Sequence, residues 1–210
     1  MSRRRVVVTG MGMISPVGLD VEGSWEAIVA GRSGAGPIEA FDTEGYSVRI
    51  GANVDGFDIE PYMEKKEARR VDPFIQYGLA AAVQAVADSG IGEADEAYRE
   101  RTGVAIGSGI GGIITIENTS LTLDRSGPRR VSPFFVPASI INMISGHVSI
   151  RYGLKGPNIA IATACTTGAH NIGFGARMIQ YGEAEAVVVG GAEMATSPVT
   201  IAAFGAMKAL

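Results

Sequence analysis

The amino-acid sequence predicts an α/β protein, with a mostly parallel mixed sheet that is flanked and covered by helices. Short apolar runs alternate along the chain with stretches of helical length, which is the order expected of βαβ units. The chain also contains 29 glycines in 210 residues, about twice the usual share. Many of them follow the apolar runs, where strands would turn into loops or helices.

The first ninety residues contain two predicted strands and two predicted helices, separated by a loop-like region rich in Gly, Pro, Asp and Asn. Asp20 and Asp72 are favourable helix N-caps, Pro73 suits a first helical position, and Gly31 and Gly90 are typical stops. In chain order the elements are a buried strand at 5–9, a helix through Ala30, a strand at 47–52 within loop-like residues 33–61, and a helix at 73–89 with Phe74, Tyr77, Ala81, Ala85 and Val86 on its apolar face.

The rest of the chain continues the alternation of strands and helices. The predicted strands are 102–107, 158–163 and 186–190, and the predicted helices are about 112–124, 137–152, 165–181 and from about 199 onwards, with a basic loop at 128–132. The helices at 76–87 and 165–181 are rich in Ala and Gly and carry few charges. We therefore expect both to be enclosed on several sides.

Composition narrows the class of protein. A hydrophobic content of 46% and a charged content of 19% are typical of a globular protein with an ample core. The net charge of −4 argues against general binding to nucleic acid or to an anionic membrane. No window approaches the roughly 20 apolar residues of a membrane span. A single cysteine excludes an internal disulfide, which predicts a cytoplasmic location.

Cys165 is that single cysteine, and it lies between the predicted strand at 158–163 and a helix of small residues. A thiol at the beginning of a helix lies among unpaired backbone N–H groups at the positive end of the helix dipole. This position favours the thiolate, which attacks carbonyl groups. Free cysteines are also common core residues, so position alone leaves a nucleophile and an inert buried thiol equally open.

The segment from Gly107 to Gly112 satisfies the G-x-G-x-x-G pattern between a strand and a helix, as dinucleotide-binding loops do. Such sites also need an acidic residue at the end of the next strand, about 20 residues on. The nearest candidate, Asp124, lies in a predicted turn. We therefore favour glycines that let the backbone approach a neighbouring segment or an acyl chain closely.

His147 and His170 are the only histidines. His170 follows Cys165 by five positions, a rotation of about 140° on a helix, which disfavours direct pairing. His147 is interpreted as a hydrogen-bonded structural residue. The basic clusters at 65–70 and 129–130 are, from charge alone, more typical of solvated surface than of a docking site.

Five motifs occur in this order in one protein family: RRVVVTGMGMISPVG at 4–18, FIQYG at 74–78, IGSGIGG at 106–112, VSPFFVP at 131–137 and TACT at 163–166. The chain resembles the N-terminal half of the bacterial β-ketoacyl-acyl carrier protein synthases of type II, which are fatty-acid elongating condensing enzymes of the thiolase fold. The resemblance runs from residue 3 to residue 210. It implies that residues 1–210 form one N-terminal half-domain and that the C-terminal half of the family is absent.

The resemblance implies a role for particular positions. Cys165 matches the nucleophile, which takes an acyl group from the acyl carrier protein and then undergoes decarboxylative Claisen condensation with malonyl-acyl carrier protein. Ile110 matches a residue lining the acyl pocket, and Phe135 and Val136 match residues that reach a neighbouring subunit, since the family is dimeric. A basic set matches positions that dock the carrier: Lys66, Arg69, Arg70, Arg129, Arg130 and Lys208.

The same resemblance implies that no metal or resident cofactor is needed, because phosphopantetheine arrives on the carrier protein. It places the family's catalytic histidines in the C-terminal half, so the 210 residues alone are expected not to condense. Two other functions remain open: a non-catalytic partner subunit that sets chain length, and a coenzyme A-dependent thiolase. Cys165 disfavours the first, and the Arg129–Phe135 stretch disfavours the second.

Overall fold

The computed structural model describes residues 4–210. A three-stranded parallel sheet lies at the centre of the fold and is formed by β3 (Thr102–Gly107), β4 (Asn158–Ile159) and β5 (Ala186–Gly191). Strand β3 lies between the other two, and Val104 is opposite both Asn158 and Val188. Every residue of β3 is buried. Because all three strands are parallel, their carboxyl ends lie at the same edge of the sheet.

Helices make up most of the remaining regular structure in these residues. They are α1 (Val21–Val29), α2 (Lys65–Ala68), α3 (Pro73–Ser89), α4 (Glu96–Glu100), α5 (Ile113–Ser126), α6 (Phe135–Ser139), α7 (Met143–Tyr152), α8 (Thr167–Tyr181) and α9 (Pro198–Ala206), with short 3-10 turns at Ile91–Glu93 and Pro128–Arg130. A small antiparallel pair is formed by β1 (Gly36–Pro37) and β2 (Ile50–Gly51). Within residues 4–210, no helix has the length and apolar character needed to cross a bilayer.

The sheet is covered by helices on both faces, as the sequence predicts. Val188 of β5 packs in the core with residues of α3 and α7, such as Phe74 and Ile144, which are fully buried. Successive side chains of a strand point to opposite faces, so Val187 and Val189 face the other way. There a Cβ added at Gly175 of α8 would meet Val189 at 2.3 Å. The small residues of α8 therefore bring its backbone close to the sheet.

The predicted strand at 5–9 is wrong. No strand is found there, and Val7 and Val8 are 66% and 78% exposed. The following residues lie along α3, where the Met13 N–H donates to the side chain of Gln84 at 3.0 Å. A run of valines favours extended backbone, but a strand also needs a partner edge, and here the backbone bonds beyond the run are made to a helix.

Three other elements differ from the prediction in extent. The helix expected at 137–152 is divided into α6 and α7, because Ile140 is extended at φ −78° and ψ 141°. The strand expected at 158–163 ends at Ile159, and that expected at 47–52 is reduced to β2. Helix α8 buries Thr167, Asn171, Gly175 and Met178 but leaves Ile172 and Phe174 exposed, so it is less enclosed than the sequence predicted.

Candidate active site

A cavity of about 460 Å³ lies beyond the carboxyl edge of the sheet, where the loops after β3, β4 and β5 meet. Parallel α/β sheets commonly bind ligands at this edge. The cavity is lined mainly by small and apolar groups: Ser108, Gly109 and Ile110 after β3; Ala164 and Cys165 before α8, with Thr167 and Gly168 in its first turn; Gly191 at the end of β5, with Ala192, Glu193 and Ala195 after it; and Phe204 of α9. Cys165 is exposed in this cavity rather than sealed in the core.

A tight turn presents Cys165 at the beginning of α8. Ala164 has φ 52°, a left-handed conformation that residues with a Cβ rarely adopt. The N–H groups of Thr166 and Thr167 donate back to the carbonyls of Thr163 and Ala164, at 3.2 and 3.0 Å. The Cys165 N–H takes no part in these two turn bonds. Cys165 therefore lies directly before the N-cap of α8, at the loop-to-helix junction.

Side chains from the first turns of α8 hold this turn in place. Thr167 Oγ1 accepts from the Thr163 N–H at 2.9 Å. Asn171 is fully buried; its Oδ1 accepts from the Ile161 N–H at 3.1 Å and its Nδ2 donates to the Ile161 carbonyl at 3.0 Å. These bonds replace the strand pairing that was predicted for residues 160–163. The backbone before Cys165 is thus fixed by the helix that follows it.

Neither histidine is placed to act as a base for Cys165. His170 Nδ1 lies 2.7 Å from Thr163 Oγ1, so its ring supports the turn, in agreement with the spacing argument. His147 lies half-buried on α7 and does not line the cavity. Burial lowers the pKa of His147 below its ordinary value, while the charge of Glu67 partly opposes this effect.

The glycine loop after β3 is occupied by a carboxylate of the protein itself. Glu193 Oε2 accepts from the Ile110 N–H at 2.8 Å, and Glu193 Oε1 accepts from the Ser108 hydroxyl at 2.8 Å. A Cβ added at Gly107 would lie 2.2 Å from the Ile161 carbonyl oxygen. The glycines therefore serve close approach to neighbouring backbone, and a side chain already uses an N–H group that a phosphate would need.

Glu193 was not identified from the sequence. It is separated from its partners by 83 and 85 positions, and it belongs to no local motif. The only available signal was its position three residues after a predicted strand, where functional side chains of parallel sheets often lie.

Of the residues expected to line the acyl site, Ile110 shares the cavity with Cys165 and is 42% exposed. Phe135 and Val136 lie on α6, outside the lining of this cavity. Val136 is 58% exposed, and its neighbours Phe134 and Ile140 are also exposed. Helix α6 therefore presents an apolar surface of its own.

The basic residues expected to dock a carrier are all exposed: Lys66, Arg69, Arg70, Arg129, Arg130 and Lys208. Within residues 4–210 none of them forms a salt bridge. The Arg70 guanidinium carbon lies 4.3 Å from the centre of the Phe134 ring. This cation–π contact connects the residues just after α2 to the segment that follows Arg130.

Side chains that could bind a metal ion are not clustered in the described part of the chain: no group of three or more His, Cys, Asp or Glu residues is suitably arranged there.

The comparisons with known proteins agree with this geometry. The family described as "Beta-ketoacyl synthase, N-terminal domain" matches residues 3–210. The 3-oxoacyl-acyl-carrier-protein synthase 2 of Vibrio cholerae serotype O1 is 61% identical over 210 residues, which is 100% of this chain and 50% of that protein. The chain thus spans about half the length of the curated relatives it matches.

Solved structures show the same fold. A β-ketoacyl synthase from Burkholderia phymatum superposes with a TM-score of 0.85 at 28% identity, covering 99% of this chain and 50% of that one. A type II polyketide ketosynthase in complex with its acyl-carrier protein gives a TM-score of 0.81 at 25% identity, covering 99% and 55%. The chain therefore belongs to the β-ketoacyl synthase family and corresponds to its thiolase-like N-terminal domain.

Proposed function

We propose that Cys165 is the acyl-accepting nucleophile of a fatty-acid elongating condensing enzyme. One observation carries the proposal: the only cysteine of the chain is exposed in a cavity of about 460 Å³, on a left-handed turn at the beginning of a helix. Exposure and neighbouring helix N–H groups are the conditions under which a thiol reacts. The apolar lining beside it suits a fatty acyl chain.

The first step is a thioester exchange. The Cys165 thiolate attacks the carbonyl carbon of an acyl thioester, and the tetrahedral intermediate expels the phosphopantetheine thiolate, which takes up a proton. The Cys165 N–H is a suitable donor to the oxyanion, because it lies at a helix start and is not used in the turn bonds described above. The acyl group is then held on the Cys165 sulfur.

The second step forms the carbon–carbon bond. Malonyl-acyl carrier protein loses carbon dioxide, and the resulting carbanion attacks the acyl-Cys165 carbonyl, which releases the Cys165 thiolate. Since this chain spans half the length of its relatives, we assign the acyl-transfer step to these residues. We assign the groups that promote decarboxylation to the other half of the family's length.

The partner proposed for both steps is an acyl carrier protein, supported by the exposed basic residues on and just after α2, at Pro128–Arg130 and after α9. A carrier delivers its own phosphopantetheine arm, so we propose no resident cofactor or metal. The single cysteine is consistent with a cytoplasmic enzyme. The exposed apolar residues of α6, including Val136, support a homodimer, which sedimentation of the purified protein would test.

The deciding experiment is intact-mass and peptide mass spectrometry after incubation with an acyl-acyl carrier protein thioester. We expect the mass of one acyl group to appear on the peptide that contains Cys165, and Cys165→Ala to abolish it. The proposal is wrong if the folded wild-type protein gains no adduct, or if the Cys165→Ala variant gains one.

A further inference from the structure

Glu193 connects the end of β5 to the loop that follows β3. We propose that Glu193 is a positioning residue that fixes the Ile110 loop and so sets which acyl chains fit beside Cys165. This inference rests on the proposed function, because it concerns the selectivity of the same site.

Both carboxylate oxygens of Glu193 are used on this loop. Oε2 accepts from the Ile110 N–H and Oε1 accepts from the Ser108 hydroxyl, each at 2.8 Å. The Ser108 Oγ in turn accepts from the Gly111 N–H at 3.0 Å, and Ser108 is 1% exposed. The carboxylate therefore fixes the residues on both sides of Ile110.

The loop is also held against the turn that carries Cys165. A Cβ added at Gly109 would lie 2.9 Å from Glu193 Oε2 and 3.3 Å from the Ala164 carbonyl oxygen. Gly109 thus lies between the carboxylate and the turn, with no room for a side chain. Glu193 therefore holds the Ile110 loop in contact with this turn, while the turn keeps its own hydrogen bonds to α8.

The chemistry of the contact favours a carboxylate. The Ile110 N–H and the Ser108 hydroxyl both donate to Glu193, and an ionised carboxylate accepts through both oxygens. Such charge-assisted bonds are roughly twice as strong as neutral ones. Glutamine can accept from the Ile110 N–H through its oxygen and donate from its amide nitrogen to the Ser108 oxygen, but neither bond is then charge-assisted. Glu193→Gln should therefore keep both contacts in weakened form, and Glu193→Ala should keep neither.

Loss of Glu193 is expected to change the selectivity for acyl chains rather than the reactivity of the Cys165 thiol. Ile110 lines the cavity beside Cys165, so a loosened loop moves the wall against which an acyl chain lies. The Cys165 turn is held separately by Thr167 and Asn171 of α8. Loss of Glu193 should therefore alter discrimination between chain lengths more than it alters reaction of Cys165 with a small reagent.

The test compares acylation of Cys165 by butyryl- and dodecanoyl-acyl carrier protein in the full-length protein, with iodoacetamide alkylation of Cys165 as a second readout. We expect Glu193→Ala to change the ratio of the two acylation rates by roughly tenfold, and Glu193→Gln by less. Alkylation should change by less than about threefold. Hydrogen exchange at the backbone amides of residues 107–112 should become faster, and more so in Glu193→Ala than in Glu193→Gln.

Glu183 provides the matched control, since it is an exposed carboxylate shortly before β5 and does not line the cavity. Glu183→Gln should leave the ratio unchanged. If Glu193→Ala does not fold, Ser108→Ala keeps the Oε2 contact, removes the Oε1 contact together with the bond from the Gly111 N–H, and should shift the ratio in the same direction. An unchanged ratio in folded variants overturns the inference, whereas absence of any wild-type adduct overturns the proposed function instead.

Discussion

At the scale of single residues, the buried Asp72 forms hydrogen bonds to three helices. Its Oδ1 accepts from the Phe74 N–H at 3.2 Å, which caps α3, and its Oδ2 accepts from the Thr115 N–H of α5 at 2.8 Å. Its own N–H donates to the Ala138 carbonyl of α6 at 3.3 Å. Burial raises the pKa of Asp72, against the opposing effect of the hydrogen bonds from Thr115 and Phe74.

We expect Asp72→Ala to lower the free energy of unfolding by about 3 kcal/mol, since it removes a helix cap and leaves the Thr115 N–H without its acceptor. Urea unfolding at pH 7 measures this. Asp20→Ala is the control, because Asp20 caps α1 at an exposed position and should cost only about 1 kcal/mol. Equal losses in the two variants would contradict the argument.

The raised pKa of Asp72 also predicts how its contribution to stability changes with pH. The folded state holds the Asp72 proton more tightly than the unfolded state, so this group stabilises the fold at low pH and loses that contribution as pH rises through its folded pKa. The stability difference between the wild type and Asp72→Asn, which cannot titrate here, should therefore shrink between pH 4 and pH 7.

Sequence patterns identified residues that act locally and missed those that act across the fold. Asp72 and Cys165 were found because a cap and a strand-to-helix junction are contiguous in the chain. Glu193 was missed because its partners, Ser108 and Ile110, lie on another strand's loop. The proposed roles of Ile110 and of the basic residues came from the family resemblance and not from local chemistry.

At the scale of elements, the junction between β4 and α8 concentrates strain next to the proposed nucleophile. Ala164 adopts a left-handed conformation, and Thr167 and Asn171 hold the backbone on its N-terminal side. Such strained positions persist only where their surroundings determine them. The left-handed backbone at position 164 therefore sets the direction in which the chain enters Cys165.

Ala164→Val should be poorly tolerated, because a β-branched residue at positive φ is a genuine outlier. We expect a loss of about 2 kcal/mol in the free energy of unfolding and a several-fold change in the rate of Cys165 alkylation by iodoacetamide. Ala164→Gly is the matched control and should alkylate at the wild-type rate, since glycine adopts this conformation freely. Wild-type behaviour of Ala164→Val would show that the turn is not strained.

A helix was predicted well where the sequence carries both an apolar period and a cap, as in α3. The strand expected at 5–9 failed for a different reason. Its valines favour extended backbone, but pairing depends on a distant edge, and no local pattern reports whether that edge is available. The division between α6 and α7 likewise depends on Ile140, whose residue type does not break helices.

At the scale of the whole molecule, the chain is acidic overall but carries a local basic surface. The chain carries −4 overall, yet Arg129 and Arg130 are exposed on one turn, and Arg70 is connected to the same region through Phe134. A local basic surface of this kind attracts an acidic partner and mainly increases the association rate.

Arg129→Glu combined with Arg130→Glu should slow acyl transfer from the carrier protein at least tenfold at low salt, and should weaken its salt dependence. Alkylation of Cys165 by iodoacetamide should remain at the wild-type rate, which separates docking from chemistry. Arg32→Glu, a charge reversal at an exposed site outside the basic set, is the control. An undiminished transfer rate in the double variant would place the docking surface elsewhere.

The parallel sheet has a consequence for how such a protein can change over evolution. Ile110, Cys165 and Glu193 all follow strands whose ends meet at one edge, while the strands themselves, such as the fully buried β3, carry the packing. A different substrate preference can therefore arise from substitutions in the three loops that follow these strands, while the sheet and its covering helices stay the same. Homologues with different products would then differ in these loops and share the same core.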